Sequence, residues 1–372
     1  MTSSADAPIQ VDFVLELVPH YRAGVVRALE SSDAVSPVWV TGQSVTRTAP
    51  IPTSREPIAS HIPVTNTKYL SRFVWQKGVL WRALTTNSPL TVFTGDPQIL
   101  STWIAAASLR LRRKKVAFWT HGWRQPDSGT KRIVRLSFYK LADALFLYGD
   151  WAAELGRQAG YKKRMFVVGN SNDAPILSNR PARSRENEIQ RWCIISRLIP
   201  ERQIDMALQA MSILRDLNRT VILTVIGNGP ELEKLQSDAH ARGLNVIFLG
   251  AIYDEDKTAE ILSNNDILVS PGNIGLAAIH ALSSGCPVST HSDRFTQMPE
   301  AASVIPGQTG VLFRRNDSKS LALETWEFVE NMDTTQVMLA CHTEIEHRWT
   351  ASVQSRKLIE AVRSVAPLSE EK

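Results

Sequence analysis

The sequence predicts an α/β protein of two domains, each a parallel sheet with helices on both faces. The chain has 372 residues, which is long for one domain, and 43% are hydrophobic, which is enough for a sizeable core. Short apolar segments alternate with longer amphipathic ones, a pattern typical of strands and helices in turn. A polar, proline-containing segment, residues 173–190, interrupts this rhythm and is predicted to be an interdomain linker.

The first run, residues 1–172, is predicted to form one domain. Its expected strands are 11–15, 38–41, 90–94, 116–120, 144–148 and 165–168. Its expected helices are 21–31, 67–84, 98–111, 131–142 and 151–159. This alternation of short apolar strands with longer amphipathic segments predicts a parallel sheet with helices on both faces.

The second run, residues 191–345, repeats the rhythm. Its expected strands are 192–196, 221–226, 246–249, 267–269, 288–290 and 311–313. Its expected helices are 204–217, 231–241, 254–263, 276–284, 318–331 and 335–342. A C-terminal segment, residues 346–372, contains a last expected helix, 349–365, and a polar tail.

The segment 266–291 carries the clearest functional pattern. An apolar strand ends near Ser270, a loop of small residues follows, and a helix is expected to begin near Leu276. The first N–H groups of a helix lack intrahelical partners and attract phosphate. Gly272 and Gly275 would let the backbone approach a ligand closely. The sequence therefore predicts a phosphorylated ligand at the carboxyl end of the second sheet.

Three other segments of the second domain end strands with ligand-binding residue types. Arg197 and Arg202 follow its first strand, and guanidinium groups contact phosphate oxygens in a bidentate way. The turn GNGP, 227–230, and the strand end at Gly250 each place glycine after a strand. Taken singly, a pair of surface arginines and a purely structural turn explain these residues equally well.

The four segments together resemble a known family. In order, SRLIPERQ, GNGP, FLG and SPGNIGLAAIHALSSGCPV are similar to the donor-binding domain of GT-B glycosyltransferases, most closely the retaining family 4 group. The resemblance covers most of residues 192–313. It implies two Rossmann-like domains whose parallel sheets face a central cleft, and a C-terminal helix that crosses back to the first domain.

The resemblance also implies roles for single residues. Arg197 and Arg202 would bind the diphosphate of a nucleotide sugar and stabilise its departure. The other donor-binding positions would be Gly227, Ile252 beside the nucleobase, Gly272, Asn273, Ile274, Gly275, Leu276 and His280. Two positions depart from the family, which has a glutamate where this chain has Gly272 and another where it has His280. The first contacts the donor sugar and the second the ribose, so donor recognition is the point in doubt.

The first domain is expected to supply the acceptor side of the cleft. His121 follows a strand and precedes a glycine, and the resemblance places a histidine that reaches the donor sugar at this position. His20, Tyr21 and Arg22 follow the first strand and resemble the family's acceptor-side loop, although the family's common diglycine is missing. A lone histidine is more often structural, so His121 is proposed on its position.

Charge and cysteine content restrict the setting of the protein. Residues 1–170 hold 22 basic and 11 acidic residues, whereas the rest hold 20 basic and 26 acidic ones, which indicates an anionic partner for the first half. Cations mixed with aromatic residues at 68–82 and 103–115 suit an anionic membrane surface, and an ordinary amphipathic helix explains them as well. No nucleic-acid module is recognisable.

Three cysteines without a CxxC pair indicate neither a disulfide framework nor a zinc site. No signal peptide and no apolar run long enough for a membrane span is visible, so a cytoplasmic protein, peripheral to the inner face of the cell membrane, is expected.

These observations favour one function and leave two alternatives open. The favoured function is transfer of a sugar from a nucleoside diphosphate sugar to a hydroxyl of a glycan or lipid-linked acceptor, with retention, in polysaccharide or glycoconjugate biosynthesis. No metal or cofactor is required, because the arginines and amides can neutralise a diphosphate. The alternatives are a nucleotide-sugar epimerase of similar fold, for which no acid/base carboxylate pair is evident, and a non-catalytic scaffold in glycan assembly.

Overall fold

The computed structural model describes residues 7–42, 58–70, 72–172, 176 and 189–366. The predicted linker, 173–190, therefore lies almost entirely outside the described residues. The chain divides into two compact units. The first consists of Met1–Asp173 and Thr350–Lys372, and the second of Ala174–Trp349.

The first unit is an α/β layer structure around an eight-stranded sheet. Its elements are β1 (Ile9–Leu15), α1 (Ala23–Glu30), β2 (Val35–Gly42), β3 (His61–Tyr69), β4 (Phe73–Lys77), α2 (Val79–Thr85), β5 (Leu90–Thr94), α3 (Leu100–Leu111), β6 (Lys115–Thr120), α4 (Gly129–Tyr139), β7 (Ala144–Leu147), α5 (Asp150–Gln158) and β8 (Arg164–Val167). The strand order is β4-β3-β2-β1-β5-β6-β7-β8. Strand β7 consists entirely of buried apolar residues, as expected for a strand covered on both faces.

The predicted helix 67–84 is wrong. Its residues form the end of β3, the antiparallel strand β4 and the short helix α2, so the first sheet is mixed instead of purely parallel. Asn66 and Gln76 pair across this hairpin and are buried. Gln76 Nε2 donates to the carbonyl of Leu15 and to Asn66 Oδ1, both at 3.1 Å, and Asn66 Nδ2 donates to the Glu16 carbonyl at 2.8 Å. These long-range hydrogen bonds decide the local structure, and no local pattern shows them.

The second unit contains a six-stranded sheet whose paired strands are all parallel. Its elements are β9 (Ile189–Ile195), α6 (Ile204–Asp216), β10 (Thr220–Ile226), α7 (Leu232–Ala241), β11 (Asn245–Gly250), α8 (Glu255–Ser263), β12 (Ile267–Ser270), α9 (Ala277–Ser283), β13 (Val288–His291), β14 (Gly310–Phe313), α10 (Ser318–Asn331) and α11 (Thr334–Arg348). The strand order is β11-β10-β9-β12-β13-β14. Every strand expected for this half is present within a few residues of its predicted bounds.

The last helix, α12 (Ala351–Val365), belongs to the first unit. Its apolar face, which includes Leu358 and Val362, joins the core formed by β1 and α1. Gln354 is fully buried and ties the helix to the loop after β8. Its Nε2 donates to the Gly169 carbonyl at 2.6 Å, and its Oε1 accepts from Ser171 Oγ at 2.7 Å.

In each sheet the strand order reverses at one point. The first unit builds outward from β1 through β2 and β3, and it then continues on the other side of β1 from β5. The second unit does the same with β9 and β12. Ligands of open α/β sheets bind beyond the carboxyl ends of the strands at such a reversal. A ligand is therefore expected at the loops after β1 and β5 in the first unit, and at those after β9 and β12 in the second.

Two cations of the predicted basic surface stabilise the fold instead of facing a partner. Arg82 forms a two-pronged ion pair with the fully buried Asp12, at 2.7 and 2.8 Å, and Ser88 Oγ donates to the same carboxylate at 2.7 Å. Arg112 donates to the carbonyls of Ala83 and Thr86 at 2.6 and 3.1 Å, where α2 ends. Among the described residues, no helix has both the length and the apolar content needed to span a membrane.

Candidate functional site

The loops that follow β9 and β12 interlock at the reversal point of the second sheet. The N–H of Gly272 donates to the carbonyl of Arg202 at 3.1 Å. The guanidinium of Arg202 in turn donates to both the main-chain and the side-chain oxygen of Asn273. The structure therefore brings together two of the predicted donor-binding segments, 197–202 and 272–276.

Gly272 is required by this interlock. A Cβ atom at this position would lie 2.5 Å from the carbonyl oxygen of Glu201 and 2.9 Å from Cα of Arg202, closer than real side chains approach backbone. The glutamate that the family carries here would need the 201–202 backbone to move. The absence of that glutamate is thus coupled to the tight packing of the two loops.

Gln297 is a site residue that no sequence pattern indicated. This buried side chain accepts from the N–H of Ile274 at 2.8 Å and donates to Thr290 Oγ1 at 2.9 Å and to the His291 carbonyl at 3.0 Å. Thr290 Oγ1 donates onward to the Ser270 carbonyl at 3.0 Å. The glutamine therefore fixes the loop to the ends of β12 and β13. It lies in an irregular segment, where no periodicity or motif marks it.

The expected row of free amides is partly wrong. The N–H groups of Gly272 and Ile274 are used inside the protein, by Arg202 and Gln297. Within the described part of the chain, the N–H groups of Asn273, Gly275 and Leu276 have no acceptor, and these residues are partly exposed. Three amides of the predicted five therefore remain for a ligand.

The two arginines create a cationic surface beside these amides. Arg197 is exposed, whereas Arg202 is partly buried. Burial, followed by repulsion from Arg197 and opposed by Glu201, lowers the pKa of the Arg202 guanidinium. Arginine remains protonated at neutral pH even so. Two like charges near each other are stabilised by an anion between them, which is what a diphosphate supplies.

The remaining predicted residues of the second unit have supporting positions. The backbone of Gly227 packs so closely that a Cβ would lie 1.8 Å from the Ser196 carbonyl oxygen. The N–H of Gly227 donates to the carbonyl of Gly250 at 2.8 Å. Its observed contacts therefore support the arginine loop. Ile252 is partly buried against the apolar cluster that contains Ile226. His280 is partly exposed on α9, and Ser284 Oγ donates to its carbonyl at 3.0 Å.

The reversal point of the first sheet brings Arg22 and His121 together. The guanidinium of Arg22 lies over the ring of Trp119, with Cζ 4.4 Å from the centroid, and donates to Tyr148 Oη. The ring of His121 lies 4.5 Å from that of Tyr148. His20 is exposed and meets Tyr21 edge to face at 5.6 Å. The structure thus joins the predicted acceptor-side loop to the predicted histidine through Tyr148.

The imidazole of His121 is neutral at physiological pH. Desolvation by the surrounding protein, followed by repulsion from Arg22 and Arg124 and opposed by Asp96, lowers the pKa of His121 to about 4. Because the His121 side chain is exposed, desolvation contributes less to this lowered pKa than burial would suggest, and repulsion by the two guanidinium groups contributes more. A neutral imidazole can both donate and accept a hydrogen bond.

Sequence comparison finds similarity to known families mainly in the second half of the chain. Residues 179–339 match the family described as "Glycosyl transferases group 1". The chain is 33% identical over 94 residues to a GDP-mannose-dependent alpha-(1-6)-phosphatidylinositol dimannoside mannosyltransferase of Mycobacterium tuberculosis, which is 24% of each protein. It is 20% identical over 253 residues to an uncharacterised glycosyltransferase of Methanocaldococcus jannaschii, 62% of this chain and 63% of that one. The chain thus spans a quarter to under two thirds of these relatives.

Structural comparison identifies the fold of nearly the whole chain. The apo form of the lipopolysaccharide outer core galactosyltransferase WaaB superposes with a TM-score of 0.72 and 15% identity, covering 95% of this chain and 99% of that one. Anabaena HepE in complex with UDP gives 0.68 and 15%, covering 95% and 100%. A glycosyltransferase from Rickettsia africae gives 0.70 and 11%, covering 96% and 98%.

These comparisons define the class. The chain has the GT-B fold, built from two α/β units. The resemblance to GT-B glycosyltransferases is confirmed, and the match to glycosyl transferases group 1 lies within the second unit. The narrower resemblance to the retaining family 4 group stays a prediction.

The interlock predicts a loss of stability on substitution of Gly272 and little change on substitution of Gly275. Gly272→Ala should lower the free energy of unfolding by about 1–3 kcal/mol, because the added methyl overlaps backbone that cannot shift cheaply. Gly275→Ala is the matched control, since its Cβ would meet only Met298 Cγ, at 4.0 Å. Urea unfolding of both variants checks this difference. Equal midpoints for Gly272→Ala and Gly275→Ala would show that the loops are not interlocked.

Proposed function

We propose that this protein is a glycosyltransferase that moves a sugar from a nucleoside diphosphate sugar to a hydroxyl group of a glycan or lipid-linked acceptor. The observation that supports this most strongly is the cationic crevice of the second unit. Arg197, Arg202 and the remaining amides of the loop, those of Asn273, Gly275 and Leu276, lie at the reversal point of a parallel sheet. The similar protein HepE has UDP and UDP-glucose in its complexes, and the mycobacterial relative is GDP-mannose-dependent.

In the proposed reaction, negative charge develops on the leaving diphosphate, next to the cationic side chains of the crevice. The bond between the anomeric carbon and the diphosphate breaks, and a bond from that carbon to the acceptor oxygen forms, with loss of the acceptor's hydroxyl proton. The transition state has oxocarbenium character, as in glycoside hydrolysis. Negative charge then develops on the distal phosphate, where fixed guanidinium and amide donors stabilise it. The same donors make a metal ion unnecessary for this step. Retention of configuration follows the resemblance to the family 4 group.

The first unit would hold the reacting sugar and the acceptor. His121 is the proposed contact to a sugar hydroxyl, since a neutral imidazole suits a polar, uncharged group. His20, Tyr21 and Arg22 lie in the loop after β1 and are the proposed acceptor-side residues. We place the activity in the cytoplasm, in polysaccharide or glycoconjugate biosynthesis, where nucleotide sugars are the donors.

Removal of Arg202 tests catalysis against the scaffold alternative. Arg202→Ala should weaken the affinity for the preferred nucleoside diphosphate about 10- to 100-fold, because one charge-assisted contact is lost and Asn273 is released. Arg197→Ala should act in the same direction. The measurement is calorimetric titration with UDP and GDP, followed by turnover with the matching nucleotide sugars.

The matched control is Arg314→Ala, which removes an exposed surface ion pair in the same unit. Nucleotide affinity that is the same in Arg202→Ala, Arg314→Ala and the unchanged chain contradicts the proposed donor site. Binding of a nucleoside diphosphate without turnover of any nucleotide sugar favours the scaffold.

We also propose that the first unit contacts an anionic membrane surface. Trp81 is 71% exposed on α2, and Leu111 is 87% exposed at the end of α3. The bonds from Arg112 to Ala83 and Thr86 bring these two helix ends together. Arg113 and Lys114 follow directly in the sequence, so large apolar side chains adjoin cations.

A sedimentation assay with vesicles tests this surface. The chain should co-sediment with vesicles that contain anionic phospholipid and much less with purely zwitterionic ones, because both apolar insertion and charge contribute. Trp81→Ser with Leu111→Ser should abolish the difference. Leu217→Ser is the control, since Leu217 is 51% exposed in the second unit. Equal, negligible sedimentation with both kinds of vesicle rejects the proposal.

A further inference from the structure

A second cationic crevice lies at the carboxyl edge of the first sheet. The loops after β1, β5 and β6 are neighbours there, because these strands are adjacent in the order β1-β5-β6. Gly95, after β5, packs so closely that a Cβ would lie 2.7 Å from Cβ of Thr120 at the end of β6. The position is the strand-order reversal of this unit, the general binding place of open α/β sheets.

Arg22 is held rigidly in this crevice. Its guanidinium stacks on Trp119 at 4.4 Å and donates one Nη2 hydrogen bond to Tyr148. Its buried Nε has no acceptor among the described residues. That Nε is enclosed by protein, so the donors open to a ligand are Nη1, which forms no hydrogen bond among the described residues, and the second proton of Nη2. Their orientation is already set by the protein. A fixed planar fork of this kind suits phosphate, which accepts two parallel hydrogen bonds.

Arg124 adds a second positive charge at the same edge. It is exposed in the loop after β6, and within the described part of the chain it forms no hydrogen bond or ion pair. Both Arg22 and Arg124 repel a proton on His121, and their effect there exceeds the opposing effect of Asp96. At the position of His121, the two guanidinium groups therefore outweigh the one carboxylate that opposes them.

We propose that this crevice binds a phosphate group of the acceptor, so that the acceptor of the reaction is a phosphorylated molecule. Arg22 and Arg124 are the ligands of that phosphate, and His121 lies beside it. That the phosphate belongs to an acceptor depends on the proposed glycosyl transfer. The presence of a phosphate site does not, because it is argued from residues of the first unit alone. The other source of a phosphate is the donor's own diphosphate, and the experiment separates the two.

The test uses inorganic pyrophosphate as the probe and the full chain with Arg202→Ala, which weakens the phosphate site of the second unit. Adding Arg124→Ala or Arg22→Gln should weaken the affinity for pyrophosphate at least about tenfold, measured by calorimetry at low ionic strength. Arg356→Ala is the matched control, because Arg356 is an exposed arginine of α12 without a described ion pair. Since Arg124 is exposed, its variant should fold as the parent does, which urea unfolding checks.

The proposal is overturned if the Arg202→Ala chain binds pyrophosphate equally well with and without Arg124→Ala or Arg22→Gln. It is also overturned if Arg356→Ala lowers the affinity for pyrophosphate as much as these two substitutions do. The source of the phosphate is tested in the chain that retains Arg202. There, Arg124→Ala should leave the affinity for UDP and GDP within twofold of the unchanged chain. A loss for these nucleotides as large as that for pyrophosphate assigns the phosphate to the donor and overturns the acceptor assignment. Failure of the proposed function shows instead as nucleotide affinity that Arg202→Ala does not change.

Discussion

The close contact between the loops after β9 and β12 determines the site of the second unit. Gly272 allows the two backbones to meet, its N–H donates to the Arg202 carbonyl, and the Arg202 guanidinium returns to Asn273. Gln297 fixes the same loop from the other side through Ile274. Because both supports consume amides, fewer donors face the crevice than the loop contains. The remaining donors are held in place, which is what electrostatic stabilisation of a leaving group requires.

The uneven charge of the chain has a physical counterpart in the structure. The first half is basic, and part of that charge stabilises the unit itself, as Arg82 does with the buried Asp12. Another part lies at the sheet edge, where Arg22 is fixed by Trp119 and Tyr148. The second half is acidic overall, yet its crevice carries Arg197 and Arg202. Net charge therefore indicates partners only where the local pairing of each cation is known.

Much of the fold follows from the sequence, and much less of the site. The strands and helices of the second half were predictable because apolar runs, glycines and prolines mark each boundary. The hairpin at 61–77 was not, since Asn66 and Gln76 are held by bonds to the end of β1, far away in the chain. Similarly, motif order indicated Arg202 and the 272–276 loop. It could not show Gln297, whose role depends on the ends of β12 and β13 meeting in space.

A crystal structure of the chain with a bound nucleoside diphosphate tests the central claim most directly. We expect the distal phosphate to lie within about 3 Å of the Arg202 guanidinium and of the N–H of Gly275 or Leu276, with Ile274 still bonded to Gln297. A diphosphate bound away from residues 271–276, with Arg202 still turned only toward Asn273, would contradict it.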